Sequence, residues 1–177
     1  MWVVDTTYLK INGGWCYLAT VMDLFSRRII GWSVSTYNDS DLISQALHVA
    51  VWNRGGEIPK GLIHHSDRGS TYASHTYQQL LGRHSMKSSM SAKGNCYDNA
   101  AMESFYGRYK TSSVRKHVFA GEDEVRTNAF EYIERFYNRF RKHSSLGYKT
   151  PVQFEEENLP PRGGATQQAC RLVLKQT

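Results

Sequence analysis

The chain has 177 residues, with 22 Lys and Arg against 16 Asp and Glu, a net charge of +6 and 40% hydrophobic residues. That length and composition predict one domain with its own core plus an appendage. No stretch approaches the roughly 20 apolar residues of a membrane span, and Cys16, Cys96 and Cys170 are spaced too widely for a CxxC zinc site or a disulfide framework.

The basic balance favours a polyanionic partner, because Lys and Arg displace condensed counterions from nucleic acid. Residues Met1-Trp2-Val3-Val4-Asp5 lack the basic-then-apolar order of a secretory signal. A reducing cytoplasm is the expected compartment.

Residues 2–10 are rich in β-branched and aromatic types and predict a strand, which Asn12-Gly13-Gly14 turns into a second at 15–23. Arg28 to Val34 predicts a third, and the short connections imply an antiparallel meander. Asp39 or Ser40 then caps a helix whose Leu42, Ile43, Ala46, Leu47, Ala50 and Val51 share one face. Gly61–His65 predicts a short strand running into Ser66-Asp67-Arg68-Gly69, followed by a helix over 74–83 and a last strand at Lys87–Met90.

Ser91 to Tyr97 is polar and contains Lys93-Gly94-Asn95, which predicts a flexible loop. Asp98 is then the expected N-cap of a helix carrying Ala100, Ala101, Met102, Phe105 and Tyr109. A longer helix is expected from about Glu122 to Arg141, and Pro151, Pro160 and Pro161 are read as marks of irregular chain. The expected organisation is a core over 1–155 with a C-terminal helical extension, and an irregular tail over 156–177. The element order is that of a mixed α/β domain. It fits a ribonuclease H-like fold, a mixed five-stranded sheet flanked by helices, with the first strand beside the fourth.

Three carboxylates stand out. Asp5 interrupts an apolar strand, and a buried carboxylate needs a partner, a hydrogen bond or a metal. Asp67 follows an apolar strand and precedes a Gly-containing turn, a common place for ligands. Glu103 sits in the first turns of its helix, with Lys110 two turns on along the same face. Taken singly, each has an ordinary explanation: an outward residue on an edge strand, a turn Asp, a solvated charge pair. Together they can hold divalent ions about 4 Å apart, which suits cutting or joining a phosphodiester.

Residues 68–102, 35 in number, separate Asp67 from Glu103, but Asp98 and Glu134 are equally spaced. The second pair is set aside because Asp98 serves as an N-cap and Glu134 sits between Glu131 and Arg135 on a highly charged helix. His64 and His65 are adjacent on a strand and point to opposite faces, which disfavours joint chelation. One of them is a candidate contact to a scissile phosphate beside Asp67. Arg135, Arg139, Arg141 and Lys142 form a basic stretch that either tracks a nucleic-acid backbone or is a solvated face.

Five blocks now carry a resemblance: Trp-Val-Val-Asp-Thr-Thr-Tyr at 2–8, Val-Met-Asp-Leu-Phe-Ser-Arg-Arg-Ile-Ile-Gly-Trp at 21–32, Leu-Ile-His-His-Ser-Asp-Arg-Gly-Ser-Thr-Tyr at 62–72, Ser-Met-Ser-Ala-Lys-Gly-Asn-Cys-Tyr-Asp-Asn-Ala-Ala-Met-Glu-Ser-Phe at 89–105, and Tyr-Asn-Arg-Phe-Arg-Lys-His-Ser-Ser-Leu-Gly-Tyr-Lys-Thr-Pro at 137–151. The chain resembles the catalytic core of DDE transposases of bacterial insertion sequences, which are related to retroviral integrases.

The resemblance implies Asp5, Asp67 and Glu103 as catalytic and metal-holding carboxylates. It also implies two Mg²⁺ or Mn²⁺ ions when DNA is bound, transposon-end and target DNA as partners, and a homo-oligomer. Lys110, His65, Arg139 and Lys142 are the expected DNA contacts, and action is expected at the bacterial nucleoid. Two departures are noted: the first catalytic Asp comes five residues in, so the upstream helix-turn-helix region usual in the family is expected either to be missing or to lie on a longer parent protein, and Tyr97 replaces a frequent Trp. Two alternatives stay open, a nucleic-acid-binding remnant without catalysis and a ribonuclease acting on RNA–DNA hybrids. Glu103 is expected to stand off from the aspartates when no DNA is bound, because the Ser91–Tyr97 loop precedes its helix.

Overall fold

The computed structural model describes residues 1–67, 69–90 and 100–159. Strands β1 (Trp2–Ile11), β2 (Gly14–Asp23) and β3 (Arg28–Ser35) form the expected meander, with β1–β2 and β2–β3 antiparallel. The first turn is tight because Gly13 adopts φ +80°, a conformation open to glycine without steric cost. Helix α1 (Ser40–Asn53) begins where Asp39, in extended conformation, accepts the Leu42 N–H at 3.1 Å, so Asp39 is the cap.

Strand β4 (Ile63–Ser66) starts two residues later than the expected Gly61, which instead turns at φ +76°. Helix α2 (His75–Arg83) and strand β5 (Lys87–Met90) follow as expected. The sheet order is β3-β2-β1-β4-β5, with β1–β4 and β4–β5 parallel. This is the ribonuclease H-like arrangement, a mixed five-stranded sheet flanked by helices.

The pleat of β1 divides the core into two layers. Trp2 and Val4 join Ala19, Val21 and Ile30 under α1 and α2. Val3, Leu9 and Ile11 face the other way, toward α3 (Ala100–Tyr109) and α4 (Glu122–Phe130). Helix α1 lies unusually close to β3 at Gly31. A Cβ there would stand 2.2 Å from the Ala46 carbonyl oxygen and 2.6 Å from the Ala50 nitrogen, so only glycine permits the approach. On the opposite layer, Phe105 and Tyr109 of α3 pack with Tyr132 and Tyr137.

The C-terminal part departs from expectation in two places. The long helix passes from α4 into a π-helical stretch over Glu131–Tyr137 and stops there, short of Arg141. The cause is Asn138, whose buried side-chain amide accepts from the Ile29 N–H and donates to the Ile29 carbonyl, both at 3.0 Å, and so ties the chain to β3. Pro151, read as a mark of irregular chain, instead opens helix α5 (Pro151–Asn158). Its fixed φ suits the first helical turn, and Thr150 and Gln153 form a capping box before it.

Helix α5 is clamped by Glu155. Its carboxylate accepts from Arg54 at 2.5 Å, Arg28 at 2.7 Å and Ser26 at 2.7 Å, while Arg54 also pairs with Asp23 at 2.7 Å. Burial alone pushes the Glu155 carboxyl up, but the hydrogen bond and charge of Arg54, with Arg28 and Ser26, hold it below its ordinary range. The expected Ser91–Tyr97 loop, the Asp98 cap and residues 160–177 lie outside the described residues, while the irregular tail expected from 156 is corrected at its start, since Glu156, Glu157 and Asn158 complete α5. Among the described residues, no helix is long and apolar enough to cross a membrane.

Candidate active site

Parallel pairing sets Trp2 opposite His64 and Val3 opposite His65. Continuing that register by two residues brings Asp5 opposite Asp67, on neighbouring strands about 4.8 Å apart. Both aspartates lie on the pleat face of Val3, toward α3. Asp5 is half-buried, and its Oδ1 accepts the Thr6 N–H at 2.8 Å. Asp67 is exposed, and its Oδ1 accepts the Gly69 N–H at 2.8 Å. A Cβ on Gly69 would approach that oxygen to 2.9 Å, so glycine leaves room for the carboxylate to fold back over its own turn.

Tyr72 lies beneath both. Its hydroxyl meets Thr6 Oγ1 at 3.2 Å. Burial raises the phenol above its ordinary range, and the charges of Asp5 and Asp67 raise it further. It therefore stays a neutral hydroxyl between two carboxylates. Tyr72 rests against Tyr77, whose hydroxyl bonds His64 Nε2 at 2.8 Å. Burial lowers His64 to about 4, so this imidazole is neutral packing under the site. His65 points to the other face and its Nδ1 shares a 3.1 Å hydrogen bond with Ser89 of β5. The two histidines diverge as their adjacent positions on a strand predict.

Glu103 is exposed on α3. The helix that carries it is held by Tyr106, one turn on, a residue whose polar role no pattern in the sequence announces. The buried Tyr106 hydroxyl lies 2.8 Å from the Asp5 carbonyl oxygen, 3.1 Å from the Leu18 carbonyl and 2.8 Å from Thr20 Oγ1. It can donate to a carbonyl while accepting from Thr20, so α3 is tethered to β1 at Asp5 itself. Among the described residues, no three His, Cys, Asp or Glu side chains stand together as a metal-holding group. The register places the aspartates on neighbouring strands, and Tyr106 ties the helix that carries Glu103 to β1.

The remaining candidates are dispersed. Lys110 opens a π-helical turn after α3, and its Nζ lies over the Tyr8 ring, 4.5 Å from the centroid. Arg139 and Lys142 are exposed beyond the long helix, away from strands β4 and β5 in sequence and on the Asn138 side of the sheet. Glu134, of the equally spaced pair set aside above, accepts the Trp32 Nε1–H at 3.0 Å and is a structural anchor on β3.

Residues 1–96 match a family model described as an integrase core domain, and residues 84–151 match a second model of the same description. The chain belongs to the integrase core domain family. This integrase core is 46% identical over 158 residues to the transposase InsF for insertion sequence IS3A of Escherichia coli, a match covering 89% of the chain and 54% of that protein. The chain thus spans about half the length of the curated relatives it matches. In architecture it is similar to a chain of a simian T-cell lymphotropic virus intasome, with TM-score 0.72 and 19% identity, over 94% of this chain and 58% of that one. It is also similar to the HTLV-2 integrase catalytic core domain in complex with magnesium, with TM-score 0.63 and 18% identity, over 86% and 93% of the two chains. At those identities the viral structures speak for the fold.

Proposed function

We propose that the chain is the catalytic core of a DNA transposase, a polynucleotidyl transferase that nicks DNA and joins the freed end to a target. The observation that carries the reading is the register that sets Asp5 beside Asp67, with the helix of Glu103 tethered at Asp5 through Tyr106. Membership of the integrase core family, the InsF relative and the basic charge of +6 support it.

The donor set suits a hard divalent cation, since carboxylate oxygens are what Mg²⁺ and Mn²⁺ take while keeping several waters. The HTLV-2 core was obtained with magnesium. Asp5 and Asp67 would hold the ions and Glu103 would complete the set. When bound, a pair of such ions supplies an activated oxygen nucleophile and charge stabilisation at the leaving oxygen. The chain's own groups prepare for this. The Thr6 and Gly69 N–H groups fix one oxygen of each aspartate. Tyr72 supplies a neutral floor that neither adds charge nor competes for a proton.

The nucleophile is water in the nicking step and the freed DNA 3′-hydroxyl in the joining step; each attacks the phosphorus in line, and the DNA 3′-oxygen on the opposite side leaves, with no covalent protein–DNA intermediate. Lys110, Arg139 and Lys142 serve as phosphate contacts. His65 is buried and bonded to Ser89, so its part in DNA binding would run through Ser89 on the edge strand β5. Joining requires two DNA ends at once, so the working form is a homo-oligomer. The HTLV-2 integrase catalytic core domain in dimeric and in trimeric form, and a viral intasome, are consistent with this.

The test measures thermal stability against added Mn²⁺, with nicking of element-end DNA by the full-length parent alongside. Wild type is expected to melt higher with Mn²⁺, and Asp5→Asn and Asp67→Asn to lose that shift. A shift retained in both variants, or undiminished nicking in Glu103→Gln, would overturn the assignment.

A further inference from the structure

Beyond Asp5, β1 runs on into a surface with no part in the carboxylate site. Tyr8 and Trp15 are 57% and 47% exposed, and their rings meet edge to face at 5.1 Å. Cross-strand pairing of Tyr8 with Tyr17 and of Lys10 with Trp15 puts all four on one pleat face. Each exposed ring carries a cation. Lys10 Nζ is 4.7 Å from the Trp15 centroid, and Lys110 reaches over the Tyr8 ring. Tyr8, Lys10, Lys110, Val114, Lys116 and His117 line a groove of about 340 Å³, within the size range of small-molecule sites. His117 of this lining meets Glu124 at 2.8 Å, and that carboxylate also accepts the Ala120 N–H at 2.5 Å.

The position matters as much as the composition. Strand β4 pairs with β1 at Trp2 and Val3, and Phe119 bridges to Ile11. Between them lies the stretch holding Asp5 and Tyr8, three residues apart, or about 10 Å along a strand. The two side chains point to opposite faces of β1, and β4 pairs with β1 only at Trp2 and Val3, so a DNA strand that crosses Asp5 reaches Tyr8 by turning round this open edge of β1.

Phosphates alone are held by Lys and Arg. Two exposed aromatic faces do nothing for a phosphate, and they cannot reach the stacked bases of an intact duplex. They suit an unstacked base, whose π-face any aromatic ring accepts. The lysines then hold the flanking phosphates and strengthen the stack through their charge.

We propose that Tyr8 and Trp15, with Lys10 and Lys110, form a stacking platform for an unpaired base of the DNA strand passing Asp5. This rests on the DNA reading above and adds to it where a terminal or extruded base is held. The platform accounts for Lys110 lying on an aromatic ring instead of extending toward Glu103.

The test uses the 177-residue chain in EDTA, so that no catalysis enters. A short thymidine oligomer and an abasic oligomer of equal length are titrated while tryptophan fluorescence is followed in a Trp52→Phe background, which removes the other strongly exposed indole. Wild type is expected to bind the thymidine oligomer about tenfold tighter than the abasic one, with Trp15 emission quenched. Tyr8→Leu and Trp15→Leu, read by anisotropy of labelled oligomers, are expected to erase the preference and leave abasic affinity unchanged. Equal affinity for both oligomers in wild type, or a preference that survives both substitutions, overturns the platform alone. Absence of binding to either oligomer overturns it together with the DNA reading. Asp5→Asn is expected to keep the preference, which separates the platform from the carboxylate site.

Discussion

Replacing Tyr106 with Phe removes one oxygen and no ring, so it asks what the tether between α3 and β1 contributes. Tyr106 is buried, and its hydroxyl sits within 2.8–3.1 Å of the Asp5 carbonyl, the Leu18 carbonyl and Thr20 Oγ1. Phe leaves the Thr20 hydroxyl and one carbonyl contact unmatched in a place water does not reach. A stranded buried polar group costs about 1–3 kcal/mol, and the middle of that range, about 2 kcal/mol, is expected. For a chain of this size it corresponds to roughly 4–8 °C in the unfolding midpoint. In urea, the midpoint should fall while the slope holds, since the surface exposed on unfolding is unchanged. Nicking by the full-length parent should fall further than stability explains, because Glu103 stands one turn from Tyr106 and a misplacement of about 1 Å can cost about 100-fold. A Tyr106→Phe variant that loses stability but nicks normally would show that Tyr106 only packs. Unchanged stability would refute the hydrogen-bond argument altogether.

Gly31→Ala should destabilise by about 3 kcal/mol or more in urea unfolding, because the new methyl meets helix backbone at 2.2 Å and backbone gives way less readily than a side chain. Glu155→Ala leaves Arg54 with Asp23 alone and takes the carboxylate from Arg28; it should cost about 3 kcal/mol, with α5 the first segment to lose amide-exchange protection. His64 sets a pH dependence. Its folded pKa of about 4 lies below the ordinary 6.5, so the unfolded chain takes up the proton first. Stability is full above pH 6.5 and falls by about 3 kcal/mol as pH drops toward 4. His64→Gln should flatten the urea stability profile across that window. The Glu155 carboxyl, also held low, adds a loss only at lower pH, as it protonates.

The sheet was legible because its signals are local. Alternation and a glycine turn predict β1 and β2, and Asp39 before an apolar stripe predicts the start of α1 within a residue. The missed features all depend on distant partners. Pro151 looks like a breaker until Thr150 and Gln153 cap it and Glu155 reaches Ser26, 129 residues away. Asn138 stops the long helix by bonding Ile29, 109 residues earlier, and nothing in the periodicity around Asn138 announces this. At the site, strand order made the Asp5–Asp67 pairing readable. Tyr106 was visible three residues after Glu103, yet as one apolar-face aromatic among Phe105 and Tyr109 it carried no sign of a polar tether. A hydroxyl buried at helical spacing beside an exposed carboxylate is the signal that would have found it.

The interval between Asp67 and Glu103 follows from topology. Strands β4 and β5 are parallel, so the chain must cross over between them, and α2 makes that crossing on the α1 side, where Tyr77, Leu80 and Leu81 are buried. The aspartates face the opposite layer. After β5 the chain must therefore change sides before α3 can lie over them, with Met102, Phe105, Tyr106 and Tyr109 against that layer. A helix, a strand and a change of layer take up the 35 intervening residues. The same interval from Asp98 ends at Glu134, whose carboxylate bonds Trp32 on β3. Strand β3 is two strands from β1, about 10 Å across the sheet. Equal counts thus reach different places: Glu134 ends over β3, whereas Glu103 stands on the helix tied to β1 at Asp5.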